Sequence, residues 1–276
     1  MNEERKPVVP ISVRIYRIAI LYAALAILWF TVMAVFGPAG TIGTDLLYAG
    51  YGIGAVLSVL NIVALVVLFG VTMILRRTRL SRAVELLGIR PWSGPAIVPP
   101  LLAIGVAAIV LYAFGYRSHE RSVMALIPFD FLGPFVEEAI FRGFLFKQLR
   151  HWTGIPFWLA AVLASVPFAM EHIYQGATTV ALLEIFAITF LGGIIFCWLV
   201  EQWGSIWSSW VLHSGLNFLF SVFPLGIDAS ENLVGNIERL SAIVCAILVT
   251  WIMTKSKAST ADARIAQATS RPADIS

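Results

Sequence analysis

The sequence predicts an all-α polytopic membrane protein, a bundle of about eight transmembrane helices with both termini in the cytoplasm. Three observations carry this. Of 276 residues, 59% are hydrophobic and 13% are charged, against roughly a quarter charged in an average soluble domain. The apolar runs repeatedly reach the ~20 residues that a helix needs to cross ~30 Å of hydrocarbon, and no stretch shows the alternation of a membrane-barrel strand. Lys and Arg are unevenly placed along the chain, as in proteins whose cytoplasmic loops collect positive charge.

The spans follow in order. The first, 15–36, follows a basic flank; it is longer than the hydrophobic region of a signal peptide and reads as a retained helix. The second is 47–75. Residues 76–92, RRTRLSRAVELLGIRPW, place Leu80, Val84 and Leu87 beside Arg79 and Arg82. They read either as a short amphipathic helix at the cytoplasmic surface or as a plain basic connector. The remaining spans are 96–116, 128–149, 155–174, 178–200, 205–223 and 238–254. No internal repeat divides them, so residues 1–255 form a single transmembrane domain with a motif-bearing core at 128–223. Residues 256–276, rich in Ala, Ser and Thr, are expected to be a disordered cytoplasmic tail.

Charge tests the count. With eight spans and the N-terminus inside, fifteen Lys and Arg fall in cytoplasmic segments and only Arg117, Arg121 and Arg239 on the other side, with Arg142 intramembrane. The net charge of +3 follows from this topology, and no nucleic acid partner is implied. Cys197 and Cys245 both lie in apolar runs and read as small hydrophobes.

Three spans carry polar groups that a lipid-facing helix would not tolerate: Glu137, Glu138 and Arg142 in the fourth, in the stretch PFVEEAIFRGFLF; His172 in the fifth; His213 and Asn217 in the seventh. A charge near the bilayer centre costs ~2.5–3.5 kcal/mol on insertion scales, so such groups face the bundle interior. Glu138 and Arg142 are i and i+4 and pair in the favourable order. Their pair is either a purely structural salt bridge or a working part of a site. Glu137 turns ~100° away, with no cation on its own face, and is available as a base. Phe168 and His172 share one face of the fifth span, just after Pro167, which frees the carbonyl of Leu163. His213 and Asn217 project together from the seventh. Each His or Asn alone is ordinary interhelical hydrogen-bonding glue; gathered from three helices they suggest a site. Glu171, Glu184 and Asn61 are weaker candidates.

The motifs EEAIFR (137–142), FAMEH (168–172) and HSGLN (213–217) resemble, in order, the EExxxR, FxxxH and HxxxN motifs of the type II CAAX prenyl endopeptidases and their bacterial relatives, the CPBP or Abi family. The resemblance covers about residues 128–221. It implies an intramembrane endopeptidase with a water-containing cavity inside the bundle. Glu137 would activate a water with the help of His172, and His213 and Asn217 would stabilise the oxyanion. Glu138, Arg142 and Phe168 would support the site. It also implies a multi-pass protein of the bacterial plasma membrane whose partners are the bilayer and a membrane-embedded or lipid-anchored peptide or protein. No cofactor is required on this reading. The alternative within the same class is zinc held by Glu137, His172 and His213, a His₂Glu set with an open position for water. Against it, the sequence has no HExxH, and no two of these ligands share a helical turn. Outside the class, a non-catalytic immunity or scaffold protein would lack a base or an oxyanion donor, and a proton-coupled transporter would show an internal repeat. The sequence has neither of these features.

Overall fold

The computed structural model describes residues 9–36, 52–90, 94–119, 126–176, 178–223, 225 and 233–270, with only the backbone described for 32–36 and 257–270. Every regular element among these residues is helical. The chain runs through α1 (Ile11–Phe36), α2 (Ile53–Arg76), the short α3 (Leu80–Leu86) and α4 (Gly94–Ala113). A helical run over residues 127–153, α5, follows. The remainder is α6 (Phe157–Met170), a 3₁₀ turn at Ile173–Gln175, α7 (Thr179–Trp203), α8 (Trp207–Val222) and α9 (Leu233–Ser270). The start of the expected second span, residues 47–51, lies outside the described residues, as do residues 271–276.

Among the described residues, six helical stretches are long and apolar enough to cross a membrane: those beginning at Ile11, Ile53, Gly94, Thr179 and Leu233, and Phe157–Gln175, which reaches that length only by counting the 3₁₀ turn after α6. The chain is therefore a multi-pass integral membrane protein by length and composition. The two remaining expected spans differ for physical reasons. Residues 127–153 carry Asp130, Glu137, Glu138, Arg142, Lys147 and Arg150. Helix α8 has 16 residues, or about 24 Å at 1.5 Å per residue.

The sequence predicts a disordered tail from residue 256; here α9 continues to Ser270. Ala258, Ala261, Ala263, Ala266 and Ala268 lie in that stretch, and alanine has the highest helix propensity of any residue. Residues 76–92 do contain a short helix, α3, which buries Ala83 and is capped by the buried Leu87; Arg82 and Glu85 are exposed, but so is Leu80, and Val84 is half-buried.

Two apolar cores organise the bundle. The first joins α1, α2, α5 and α6 through residues such as Leu21, Leu68, Phe144, Leu145 and Ala161. The second joins α4, α7, α8 and α9 through Ala103, Leu199, Leu212 and Ala242. Helix α7 serves both, with Cys197 and Val200 in the first and Phe196 and Leu199 in the second. It approaches α6 closely at Gly193, where a Cβ would come within 2.9 Å of the Ser165 Cβ and 3.3 Å of the Phe168 ring. The polar side chains gather at the seam between the two cores.

Candidate active site

Helix α5 supplies the carboxylates, and its winding is unusual. Ile127–Leu132, Glu138–Phe146 and Leu149–Thr153 are π-wound, with an α-helical turn at Gly133–Glu137. π-turns are rare and concentrate at functional sites. Glu138 and Arg142 lie in the central π segment, 0% and 1% exposed, with Nη1 and Oε1 3.0 Å apart. The Arg142 guanidinium is covered by the faces of two rings, Phe168 at 3.9 Å and Phe196 at 5.0 Å from its Cζ. Ring faces and carboxylate together offset the cost of burying the cation.

Glu138 does more than its spacing predicts. The Nδ1–H of His213, from α8, donates to the same Oε1 at 3.0 Å. The imidazole is held on both faces: Phe196 stacks on it at 5.3 Å with planes 29° apart, and Phe168 meets it edge-on at 6.0 Å. With Nδ1 engaged, Nε2 points toward Glu137, 3.8 Å from Oε2.

His172 reaches the same oxygen from α6. Counting residues from the helix start places it near the outer end of its span, away from Glu137. In the structure α6 stops at Met170, after 14 residues, and His172 sits in the turn beyond. Its Nδ1–H donates to the Phe168 carbonyl at 2.8 Å, and its Nε2 lies 3.9 Å from Glu137 Oε2. The two side chains thus share one depth. The Leu163 carbonyl released by Pro167 accepts a hydrogen bond from the Tyr22 hydroxyl of α1 at 2.6 Å, so the proline position is stabilised by a helix from the far end of the chain.

Glu137 Oε2 is therefore faced by two imidazole nitrogens and has no hydrogen-bond partner, although the side chain is 32% exposed. A polar contact of 3.8–3.9 Å is too long for a hydrogen bond and suits a bridging water. The structure brings together Glu137, Glu138, Arg142, Phe168, His172 and His213. Asn217, one turn beyond His213 on α8, is half-buried and makes no hydrogen bond among the described residues. Of the weaker candidates, Glu171 is half-buried beside His172 and close enough to Glu137 to repel it, whereas Asn61 packs toward Gly133 on α5. Phe196 is missed by sequence reasoning, because a phenylalanine among the apolar residues of α7 carries no distinguishing signal.

Residues 119–219 match the family model of the Type II CAAX prenyl endopeptidase Rce1-like proteins. Over this segment the chain is similar to that family. All three motifs, and Phe196, fall inside the Rce1-like segment. Neither the curated proteins nor the solved structures hold a significant match to the chain. The family is one of membrane proteases, which agrees with the apolar helices and with a partly exposed carboxylate facing two histidines.

The zinc alternative can be tested against the donors present. Both free Nε2 atoms converge on one Glu137 oxygen, and both Nδ1 atoms are engaged, as in metal-ligating histidines. The 3.8 and 3.9 Å separations exceed the roughly 3.4 Å between ligand atoms of a tetrahedral ion bonded at ~2.0–2.1 Å. Among the described residues, no group of three or more His, Cys, Asp or Glu is disposed to hold a metal ion. As placed, the donor set does not fit the ion.

Proposed function

We propose that the protein is an intramembrane endopeptidase in which Glu137 activates a water for attack on the peptide carbonyl of a membrane-associated substrate. The single observation that carries this reading is the unpartnered Glu137 Oε2 with the Nε2 atoms of His172 and His213 3.9 and 3.8 Å away. A water in this space would give its proton to Glu137 while His172, whose Nδ1–H is committed to the Phe168 carbonyl, accepts a hydrogen bond at Nε2. The water oxygen then bonds to the carbonyl carbon, and the carbonyl oxygen becomes the oxyanion. Breakage of the C–N bond returns the Glu137 proton to the leaving amine.

Two donors are available to the oxyanion. Asn217 would donate through its amide. For His213 to donate from Nε2 it must carry protons on both nitrogens, and the Glu138 carboxylate at Nδ1 is positioned to stabilise that cation. Glu138, Arg142 and Phe168 hold the imidazole in place. On this reading residues 127–153 and α8 cross the membrane as well, giving eight spans with both termini cytoplasmic, in a bacterial plasma membrane. The fifteen-to-three distribution of Lys and Arg supports that topology.

The test is Glu137→Gln, which keeps the shape but cannot take the proton. The expected protein is folded, expressed and inactive on peptide substrates. Near-full activity would end the catalytic assignment. Wild-type enzyme should also keep its activity after chelation; loss on chelation with recovery on adding zinc would favour the metal reading.

A further inference from the structure

A cavity lined by charged side chains lies away from this cluster. It has a volume of about 430 Å³ and is lined by Arg82, Glu85, Arg90, Lys147 and Gly204. It forms where α3, the segment after it, the end of α5 and the α7–α8 turn meet, and its frame is hydrogen-bonded. Ile206 N donates to the Gly88 carbonyl at 3.0 Å, and the Trp207 indole donates to the Ile89 carbonyl at 2.9 Å. Lys147 Nζ donates to the Gly204 carbonyl at 2.9 Å. Gly88 has a positive φ of 73°, and a Cβ there would meet Lys147 Nζ at 2.9 Å. The positive φ is what favours glycine here; the Lys147 ammonium, at the end of a flexible side chain, could shift to admit a Cβ.

The charges do not balance. Arg82 pairs with Glu85. Glu201, the acid nearest Lys147, is held by Arg150. Arg90 is exposed; its backbone N–H donates to the Val84 carbonyl at 3.4 Å, and its guanidinium enters no hydrogen bond or ion pair among the described residues. Three cations and one carboxylate thus face one space large enough for a small ligand. A general excess of positive charge on one side of a membrane protein explains their number, but not their convergence on a hydrogen-bonded cavity. Forked guanidinium donors suit phosphate oxygens. Leu80, on the same short helix α3 as Arg82 and Glu85, is 54% exposed, an apolar side chain against which an acyl chain could lie.

We propose that this cavity binds the phosphate of an anionic phospholipid headgroup. The experiment uses the purified full-length protein in detergent, with short-chain phosphatidylglycerol, phosphatidylcholine and inorganic phosphate as probes, and binding read by native mass spectrometry and calorimetry. A cation near an anionic lipid is worth about a fivefold change in affinity. Arg90→Gln should weaken phosphatidylglycerol binding about fivefold, and Arg82→Gln with Arg90→Gln about 25-fold. Arg90→Lys, which keeps the charge but loses the fork, should fall between wild type and Arg90→Gln. Both arginines are exposed, so these variants should fold; Lys147, which also holds the Gly204 carbonyl, is left intact. Affinity within twofold of wild type in the double variant, or equal binding of phosphatidylcholine, would overturn the proposal. Displacement of the lipid by millimolar inorganic phosphate would assign the site to a soluble phosphate and overturn the lipid assignment.

Discussion

Replacing Glu138 with Gln removes one half of a fully buried ion pair and separates stability from catalysis. Arg142 is 1% exposed and its carboxylate partner lies 3.0 Å away. Deleting one partner of such a pair typically costs ~3–5 kcal/mol, because the remaining charge stays buried. The glutamine carbonyl can still accept from His213 Nδ1, now 3.0 Å from Glu138 Oε1. That retains a hydrogen bond worth about 1 kcal/mol, so the loss should sit near the lower end, about 3 kcal/mol. At ~2–4 °C per kcal/mol for a chain of this order of size, the melting temperature in detergent should fall by roughly 6–12 °C. Removing both charges in Glu138→Leu with Arg142→Met should recover most of that stability, since an apolar replacement of a buried pair is often neutral or better. Peptidase activity should not return in the double variant, because His213 Nδ1 loses its acceptor. The reasoning fails if Glu138→Gln melts within 2 °C of wild type, or if the double variant is no more stable than the single one.

Three further outcomes are expected. Asn217→Ala should lower kcat by ~10²–10³ with little change in KM, the signature of an interaction made mainly in the transition state; an equal rise in KM instead would make Asn217 a substrate-binding group. Phe196→Leu removes the ring stacked on His213, a contact worth ~0.5–1.5 kcal/mol, and should cut kcat about tenfold while Phe196→Tyr retains activity, whereas equal losses in both variants would point to simple core disruption. With Cys197 and Cys245 replaced, a single cysteine at Ser118 should react with an impermeant thiol reagent from outside the cell and one at Thr78 should not, and labelling at Thr78 would reverse the proposed topology.

How much of this was legible in the sequence depends on the range of the forces involved. Hydropathy alone locates the long apolar helices, because burial in lipid is read residue by residue along a run. The i, i+4 spacing finds the Glu138–Arg142 pair for the same local reason. The Glu138–His213 contact joins residues 75 positions apart, and nothing local encodes it. Pro167 announces a free carbonyl at Leu163, but its donor, Tyr22, is 141 positions away. The π winding of Glu138–Phe146 is also unannounced, since its apolar residues satisfy an α-helical pattern equally well. Two neighbouring glutamates, read as facing apart, both face one imidazole, Glu138 at Nδ1 and Glu137 toward Nε2. The depth of His172 escapes counting because α6 ends at Met170, short of the membrane's width.

The elements that carry the site are the ones that fit a lipid bilayer least well. Helix α6 has 14 residues and α8 has 16, about 21 and 24 Å of rise against ~30 Å of hydrocarbon. Residues 127–153 are π-wound and charged. Backbone that ends or loosens inside the hydrocarbon must be sheltered by protein or lie against water, because lipid cannot satisfy it. Helices α1, α2, α4 and α9, with exposed Phe30, Val66, Ile109 and Trp251, can provide that shelter by facing the lipid. Helix α6 ends at Met170, and His172 in the turn after it meets Glu137. A longer α6, continuing as α-helix past Met170, would carry the His172 imidazole onward by its own rise and turn and move it away from the carboxylate. The shortness of α6 is therefore a condition for the Glu137–His172 juxtaposition.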